Sequence, residues 1–171
     1  MTITVRDYTD ADFDDCCKLW DELARHHADL YEDPSIADSN SGKHLREYLE
    51  RPDRCCTWIA ESEGRIVGFA GLLDVIGEEG VAEIEPVVIS SESRGMGIGT
   101  RLIENAKQEA KNRNYRFLTI KPVLRNKEAF LLYVGLGFDH VGSIELFQDL
   151  LPEAGRKWVK GITVHGRELL Y

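Results

Sequence analysis

Arg94-Gly95-Met96-Gly97-Ile98-Gly99 is the stretch that decides the fold of this chain. The apolar run 81–89 comes before it and apolar residues at four-residue spacing follow it, so a strand, a turn and a helix meet there. The first turn of a helix has N–H groups without intrahelical acceptors, and glycines leave those groups accessible to a ligand. The stretch therefore predicts an anion site at the start of helix 97–112. A tight turn without a ligand is the alternative.

The spacing of the glycines excludes the two common nucleotide-binding motifs. A P-loop requires G-x-x-x-x-G-K-[ST], and the sequence contains no such string. A dinucleotide-binding loop requires G-x-G-x-x-G, but Thr100 or Leu102 stands where the last glycine should be. The next strand ends at Lys121 and lacks the acidic residue that binds a ribose. A different phosphate ligand is needed to explain the loop.

Hydrophobic periodicity on both sides of the loop predicts a mixed α/β chain. The predicted strands comprise residues 2–8, 55–60, 66–75, 81–89 and 115–120, with later strands centred on 144–147 and 162–164. The predicted helices comprise residues 10–30, a short segment at 45–49, and residues 97–112 and 126–136. The resulting order is β-α-α-β-β-β-α-β-α-β-β, which indicates a mixed sheet with helices packed on it.

Two features of strand 81–89 bear on where a ligand binds. Pro86 has no backbone N–H and cannot continue a central ladder, so we expect a β-bulge there. This strand, the following helix and strand 115–121 form a right-handed βαβ crossover, which makes the two strands parallel. Ligands of such sheets bind at the carboxyl ends of the strands, here near Ile89 and Lys121.

The composition indicates a soluble chain with one domain, residues 1–171. Its net charge of −9 disfavours nucleic acid and anionic membranes as partners, and no run approaches the ~20 apolar residues of a membrane span. The cysteines form two adjacent pairs, Cys16-Cys17 and Cys55-Cys56, without the C-x-x-C spacing of zinc or redox sites. We therefore expect reduced cysteines, a cytoplasmic location and no metal. The adjacent residues His26 and His27 cannot share one face of a helix.

Two motifs together resemble those of a known enzyme family. Residues 94–99 fit the pattern Arg/Gln-x-x-Gly-x-Gly/Ala, and Asn126-x-x-Ala129-x-x-x-Tyr133-x-x-x-Gly137-Phe138 is similar to a second signature of the same family. On these motifs the chain resembles the GNAT superfamily of N-acetyltransferases, whose glycine loop binds the pyrophosphate of acetyl-CoA. The resemblance implies an α/β (α+β mixed) fold: a mixed, mostly antiparallel sheet with a central parallel βαβ unit, flanked by about four helices.

The resemblance also implies which residues hold acetyl-CoA. Backbone groups at the end of strand 81–89 bind the pantetheine and supply an N–H to the oxyanion, while the glycine loop and helix start bind the pyrophosphate. The implied cofactor-binding residues are Val87, Val88, Ile89, Arg94, Gly95, Met96, Gly97, Ile98, Gly99, Thr100 and Asn126. Asn126 also suits the N-cap of the last helix.

Transfer of the acetyl group to a primary amine, by direct attack in a ternary complex, requires an acid and a base. The family commonly uses a tyrosine of the last helix as the general acid, and the corresponding residue is Tyr133; a tyrosine of the core is the alternative. The base implied by the family is a strand carboxylate, sometimes acting through water. Glu83 is preferred over Glu85, and solvated charges at a strand edge are the alternative.

The resemblance places the acceptor against the first helices and the loop after them. This segment is acidic, and Tyr31 and Glu32 are the candidate contacts to a cationic acceptor. A small polyamine, an aminated metabolite, a protein lysine or an N-terminus fits such a wall, and a merely solvated acidic face is the alternative. In the family, closing strands such as 162–171 often build homodimers.

Two other functions were weighed against the enzyme. One is a catalytically silent module of the same fold that binds acetyl-CoA as a sensor. Tyr133 together with Glu83 and Glu85 favours catalysis over that interpretation. The other is a different phosphate-ligand enzyme with a similar turn, which the failed nucleotide motifs disfavour.

Overall fold

The computed structural model describes residues 2–37, 40–148, 150 and 158–170. Its strands are β1 (Ile3–Asp7), β2 (Arg54–Ser62), β3 (Arg65–Asp74), β4 (Val81–Ile89), β5 (Phe117–Thr119), β6 (Lys160–Val164) and β7 (Arg167–Leu170). Its α-helices are α1 (Phe13–Tyr31), α2 (Ser41–Leu49), α3 (Ile98–Asn112) and α4 (Lys127–Gly135). From β1 to α4, the order of these elements along the chain is the predicted one.

The strands form two sheets rather than the single sheet predicted from the sequence. Strands β1 to β5 lie in sequence order, with antiparallel pairing from β1 to β4 and parallel pairing between β4 and β5. Strands β6 and β7 form a separate antiparallel hairpin. The mostly antiparallel sheet with a parallel βαβ unit is confirmed.

The predicted strand at 144–147 is wrong. Residues 138–148 contain neither helix nor strand, and the side chains of Ile144, Leu146 and Phe147 are exposed. A β-prone run becomes a strand only when a neighbouring strand pairs with it, and this run has no such partner among the described residues. The run at 162–164 does find one, because β7 pairs with it.

A β-bulge interrupts β4, as the proline predicted. Ala70 of β3 pairs with Val87, while Leu72 pairs with Ile84, so one residue of β3 opposes two of β4. The two residues of the bulge are Glu85 and Pro86. The bulge changes which way the last part of β4 faces.

Strands β4 and β5 separate after a short paired stretch. Their pairing covers only Val81–Glu83 and Phe117–Thr119, although β4 continues to Ile89. The predicted strand 115–120 is shortened because its pairing ends there. The two parallel strands therefore leave an opening between their carboxyl ends.

The helices cover the five-stranded sheet on both faces. Helix α3 packs on one face through buried residues such as Ile98, Leu102 and Ile103. Helices α1 and α2 pack on the other through Leu19 and Leu45. The glycine loop that precedes α3 thus lies near the carboxyl end of β4. None of the helices in the described part of the chain is long and apolar enough to cross a membrane.

Candidate functional site

The glycine loop adopts a conformation that suits only glycine. Gly95 and Gly97 have φ angles of 76° and 79°, in the left-handed region that side chains disfavour. A Cβ atom at either position would meet nothing within 4 Å, so the loop is open on this side. Gly97 is the N-cap of α3, and the backbone N–H of Arg101 donates to its carbonyl oxygen at 3.1 Å. The N–H groups before Arg101 in this turn have no intrahelical acceptor.

A cleft of about 400 Å³ lies between this loop, the end of β4 and the start of α4. We call it the cofactor cleft, for the role that we propose for it, and it is lined by Leu23, His26, Val87, Val88, Ile89, Ser93, Arg94, Gly95, Gly97, Ile98, Gly99, Thr100, Asn126, Glu128, Ala129, Leu132 and Tyr133. The structure therefore brings together every predicted cofactor residue except Met96, whose side chain is 49% exposed.

Helix α4 contributes Asn126 and Tyr133 to the same cleft. Asn126 caps the helix, as predicted: its Oδ1 accepts a hydrogen bond from the backbone N–H of Ala129 at 3.0 Å. Two helical turns separate Asn126 from Tyr133, so both lie on the face toward the cleft. The Tyr133 ring is half-buried and packs edge-on against Phe138. Burial raises the pKa of Tyr133, so its hydroxyl stays protonated at neutral pH.

Helix α1 forms the third wall through Leu23 and His26, which the sequence motifs did not predict. Glu22 accepts a hydrogen bond from the backbone N–H of Ser91 at 2.8 Å and so ties α1 to the loop. One turn later, His26 lies between two cleft residues, with Nδ1 3.5 Å from Nη1 of Arg94 and Nε2 3.3 Å from Nδ2 of Asn126. The i,i+4 spacing of Glu22 and His26 indicates that both lie on one face of α1. No local pattern indicates that this face packs against the loop after β4.

A second cavity, of about 780 Å³, lies between α1, α2 and the bulge of β4. We call it the acceptor cavity, for the role that we propose for it, and it is lined by Trp20, Asp21, Leu23, Ala24, His27, Ser35, Ile36, Ser41, His44, Glu47, Tyr48, Arg51, Glu85 and Pro86. Burial is the main reason that the pKa of His27 is lowered. His26 and His27 thus open into different cavities, which agrees with the expectation that one helix face cannot present both.

The two cavities are neighbours along α1 and β4. Leu23 of α1 lines both of them. On β4, Pro86 lines the acceptor cavity, and the next residue, Val87, lines the cofactor cleft. A molecule in each cavity would therefore approach the other between α1 and the bulge.

The two carboxylates predicted as candidate bases have different surroundings. Glu83 is buried, and its Oε2 accepts a hydrogen bond from Nζ of Lys121 at 2.5 Å; it lines neither cavity. Glu85 lies in the bulge, lines the acceptor cavity and is 3.4 Å from Nη1 of Arg51. Arg51 is held more closely by Asp53, at 2.7 Å.

The predicted acceptor contacts lie at the end of α1, away from the lining of both cavities. The guanidinium of Arg125 lies over the Tyr31 ring, 4.7 Å from its centre. Glu32 ends the helix as an exposed residue with a φ of 52°. Asp38, also on the predicted acidic wall, is outside the described residues. Across the residues that the structure describes, no three His, Cys, Asp or Glu side chains are grouped so that they could hold a metal ion.

Comparisons with known proteins agree with this geometry. Residues 17–138 match the model of the acetyltransferase (GNAT) family. An uncharacterized N-acetyltransferase of Methanocaldococcus jannaschii is 30% identical over 142 residues, covering 81% of this chain. An uncharacterized N-acetyltransferase of Escherichia coli is 29% identical over 108 residues, covering 63% of this chain. The chain spans 61% and 64% of the lengths of these relatives.

A solved structure shows the same fold. AAC(6')-Iy, in complex with the bisubstrate analog CoA-S-monomethyl-acetylneamine, superimposes with a TM-score of 0.67 at 16% identity. The superposition covers 87% of this chain and 99% of that one. The matched family segment includes the glycine loop, the parting strands and the Asn126–Tyr133 helix, and it spans well over half of the sequence. The chain therefore belongs to the acetyltransferase (GNAT) family.

Proposed function

We propose that the chain, as one catalytic unit, transfers the acetyl group of acetyl-CoA to a primary amine. The observation that carries this proposal is that the two cavities are neighbours: Leu23 lines both of them, and the consecutive residues Pro86 and Val87 line one each. A donor and an acceptor held on the two sides can react directly, without an acyl-enzyme intermediate. Holding both reactants in one complex supplies much of the rate enhancement of such reactions.

The cofactor cleft fits a CoA thioester. The open backbone at Gly95 and Gly97 leaves room for phosphate oxygens beside the free N–H groups of α3. On β4, the N–H of Ser90 donates to Val67 of β3 at 2.9 Å. Because consecutive N–H groups of a strand point to opposite sides, the N–H of Ile89 faces the opening toward β5. It is placed to bind pantetheine or the acyl oxygen.

Side chains of the two cavities supply the proton transfers. The bound thioester supplies an activated acyl group. We assign Glu85 as the general base, directly or through a water: it takes a proton from the acceptor ammonium, which frees the nitrogen lone pair for attack on the acyl carbon. Tyr133 donates its proton to the sulfur as the C–S bond breaks, the nitrogen of the new amide loses its second proton to the tyrosinate, and Glu85 releases its proton to solvent. Glu83 is the competing base, although its carboxylate is already bonded to Lys121.

The acceptor we propose is a small molecule that carries more than one amine, with a protein lysine or N-terminus as the broader class. The cavity contains the carboxylates of Asp21, Glu47 and Glu85, while its one arginine is bonded to Asp53. Such a surface attracts cations. The complex of AAC(6')-Iy with an acetylneamine analog supports a substrate of this kind. Tyr31 and Glu32 stay predicted contacts for an acceptor that extends beyond the cavity.

We also propose that the protein acts in the cytoplasm as a homodimer. All four cysteines are free thiols, as is usual in a reducing compartment. Strand β5 is an edge of the five-stranded sheet, and exposed apolar side chains occur on it and on α4, including Phe117, Phe130 and Leu131. The β6–β7 hairpin of a second copy is the proposed partner of this surface. Light scattering should give a dimer mass that Leu131→Glu halves; a monomeric wild type contradicts the proposal.

One experiment tests the proposed reaction. The protein is mixed with acetyl-CoA and a panel of polyamines, aminoglycosides and peptides, and release of the CoA thiol is followed together with the mass of the product. Amine-dependent thiol release with an acetylated product is expected. Thermal stabilisation by acetyl-CoA without turnover on any amine would instead support the silent sensor. Stabilisation by ATP or NAD but not by CoA would overturn the donor assignment.

A further inference from the structure

We propose that His26 is a phosphate-binding residue of the donor site, and that its protonated imidazolium binds the diphosphate of CoA. This inference rests on the proposed function and adds to it a group from α1, outside the two signature motifs. It also means that binding of CoA takes up a proton from solution.

The contacts of His26 carry the inference. The Oδ1 atom of Asn126 is engaged by the backbone N–H of Ala129, so the amide directs its NH₂ group toward the imidazole. Nη1 of Arg94 faces the other ring nitrogen. A neutral imidazole has one N–H and one acceptor nitrogen, so it can accept from only one of these two groups. Whichever tautomer is present, one ring N–H points toward another donor.

The side chains of Arg94 and Asn126 present donors to the two ring nitrogens of His26. All three residues line the cofactor cleft, together with the open glycine turn and Glu128. The oxygens of a bound diphosphate can accept hydrogen bonds from these three side chains, and such charge-assisted bonds are the strong ones. The unfavourable N–H contact of the free protein is then relieved.

The charges around His26 set the direction of its titration. Burial, followed by the charge of Arg94, lowers the pKa of His26, while Asp29 of α1 and Glu128 of α4 oppose this weakly. Also on α1, the His27 ring lies 6.2 Å away, and Glu22, one turn earlier, accepts a hydrogen bond from the backbone N–H of Ser91. The free protein therefore holds His26 neutral above the ordinary histidine pKa of about 6.5. Bound phosphate charge favours the imidazolium, so binding takes up a proton and strengthens as the pH falls through the pKa of the complex.

Calorimetric titration of the whole chain with CoA, in two buffers of different ionisation enthalpy at the same pH near neutrality, measures this proton. We expect net proton uptake by the wild type and none by His26→Asn, which keeps an NH₂ group but cannot titrate. The affinity of this variant for CoA should be lower by roughly tenfold. His27→Asn is the matched control and should keep the uptake.

Each remaining outcome of the titration has a definite meaning. Absence of uptake in the wild type, or uptake retained by His26→Asn, overturns the assignment. Uptake that persists with 3′-dephospho-CoA supports contact with the diphosphate, whereas its loss overturns that contact in favour of the ribose phosphate. A protein that does not bind CoA at all contradicts the proposed function rather than the role of His26. Circular dichroism of both variants verifies that they are folded.

Discussion

Glu83 accepts a 2.5 Å hydrogen bond from Lys121 at the point where β4 and β5 cease to pair. The side chain of Lys121 is 73% exposed, whereas that of Glu83 is 12% exposed. The pair thus links the two strands at the base of the opening. Glu85, two residues further along β4, is the carboxylate of the two that lines the acceptor cavity; we therefore propose Glu83 as a positioning group and Glu85 as the base.

Glu85→Gln should lower kcat by roughly 10²–10⁴-fold, because a general base contributes about that much. Binding of acetyl-CoA should change little, since Glu85 does not line the cofactor cleft. The loss should be smaller for weakly basic amines, which are already unprotonated at neutral pH. Steady-state kinetics with amines of graded basicity measure both effects.

Glu83→Gln is the comparison variant. We expect it to lose about 1–2 kcal/mol of stability, without a dependence of kcat on the basicity of the amine. A dependence seen in the Glu83 variant alone would make Glu83 the base.

Tyr133→Phe should reduce kcat by roughly 10²–10⁴-fold while changing the Kd of acetyl-CoA far less. The hydroxyl is needed only when the sulfur leaves, and the raised pKa of Tyr133 keeps it protonated at neutral pH. Tyr115→Phe provides the matched control, because Tyr115 bonds Asp74 and Cys55 outside both cavities. Stopped-flow binding and turnover assays separate the two steps. Equal losses in binding and turnover, or no loss in either, would refute Tyr133 as the acid.

Gly97→Ala should weaken acetyl-CoA binding by roughly tenfold or more, whereas Gly64→Ala should not. The two glycines have similar φ angles, 79° and 73°, and a Cβ at either one meets nothing within 4 Å. Both substitutions should therefore cost a similar 1–2 kcal/mol, roughly, of stability. Only Gly97 lines the cofactor cleft, while Gly64 lies in the turn between β2 and β3. Calorimetric Kd values for the pair measure the difference, and equal Kd values would show that the loop does not bind the donor.

Arg6→Gln should be less stable than the wild type at neutral pH. This difference should disappear in acid, because the wild type loses the same contribution there. Hydrogen bonding from Arg6 is the main cause that lowers the pKa of Asp12 to about 2. A carboxyl whose folded pKa is lowered contributes stability above its ordinary pKa of 3.8, and loses that contribution as the pH falls toward 2. Urea unfolding should show a deficit of roughly 1–2 kcal/mol at pH 7, allowing for solvent screening.

The acid dependence distinguishes this ion pair from ordinary surface charges. The deficit of Arg6→Gln should shrink steadily when unfolding is repeated at pH 4 and then near pH 2. Lys18→Gln breaks the 2.6 Å pair with Asp15, in which both side chains are more than half exposed, and it should have no measurable effect. A deficit in Arg6→Gln that is the same at every pH would contradict the role of Asp12.

Local signals predicted the backbone features around the cofactor cleft. The bulge at Pro86, the glycine turn and the N-cap at Asn126 each depend on backbone chemistry within a few residues, so the sequence contains their cause. Met96 was included because it lies inside the motif, but a loop residue between two left-handed glycines can leave its side chain outside the cleft.

The acceptor side depends on packing between distant segments, which periodicity does not report. The acceptor cavity is lined by His27 of α1, Glu47 of α2 and Glu85 of the β4 bulge. No local pattern joins these three residues. The same limit applies to His26, whose contacts lie 68 and 100 positions away in sequence. The strand at 162–164 was predicted from its apolar residues, but its pairing with β7 in a hairpin separate from the main sheet is a tertiary property.

The division of α1 between the two cavities has a consequence for how such a protein can diversify. Trp20, Asp21 and Ala24 line only the acceptor cavity, so substitutions there can alter the choice of amine without disturbing the donor. Leu23 belongs to both sides and is the position where a change of acceptor would also disturb acetyl-CoA. Related proteins with new acceptors should therefore differ at the α1 positions that line only the acceptor cavity, while Leu23 is retained. A library restricted to residues 20, 21 and 24 is the natural route to altered acceptor specificity.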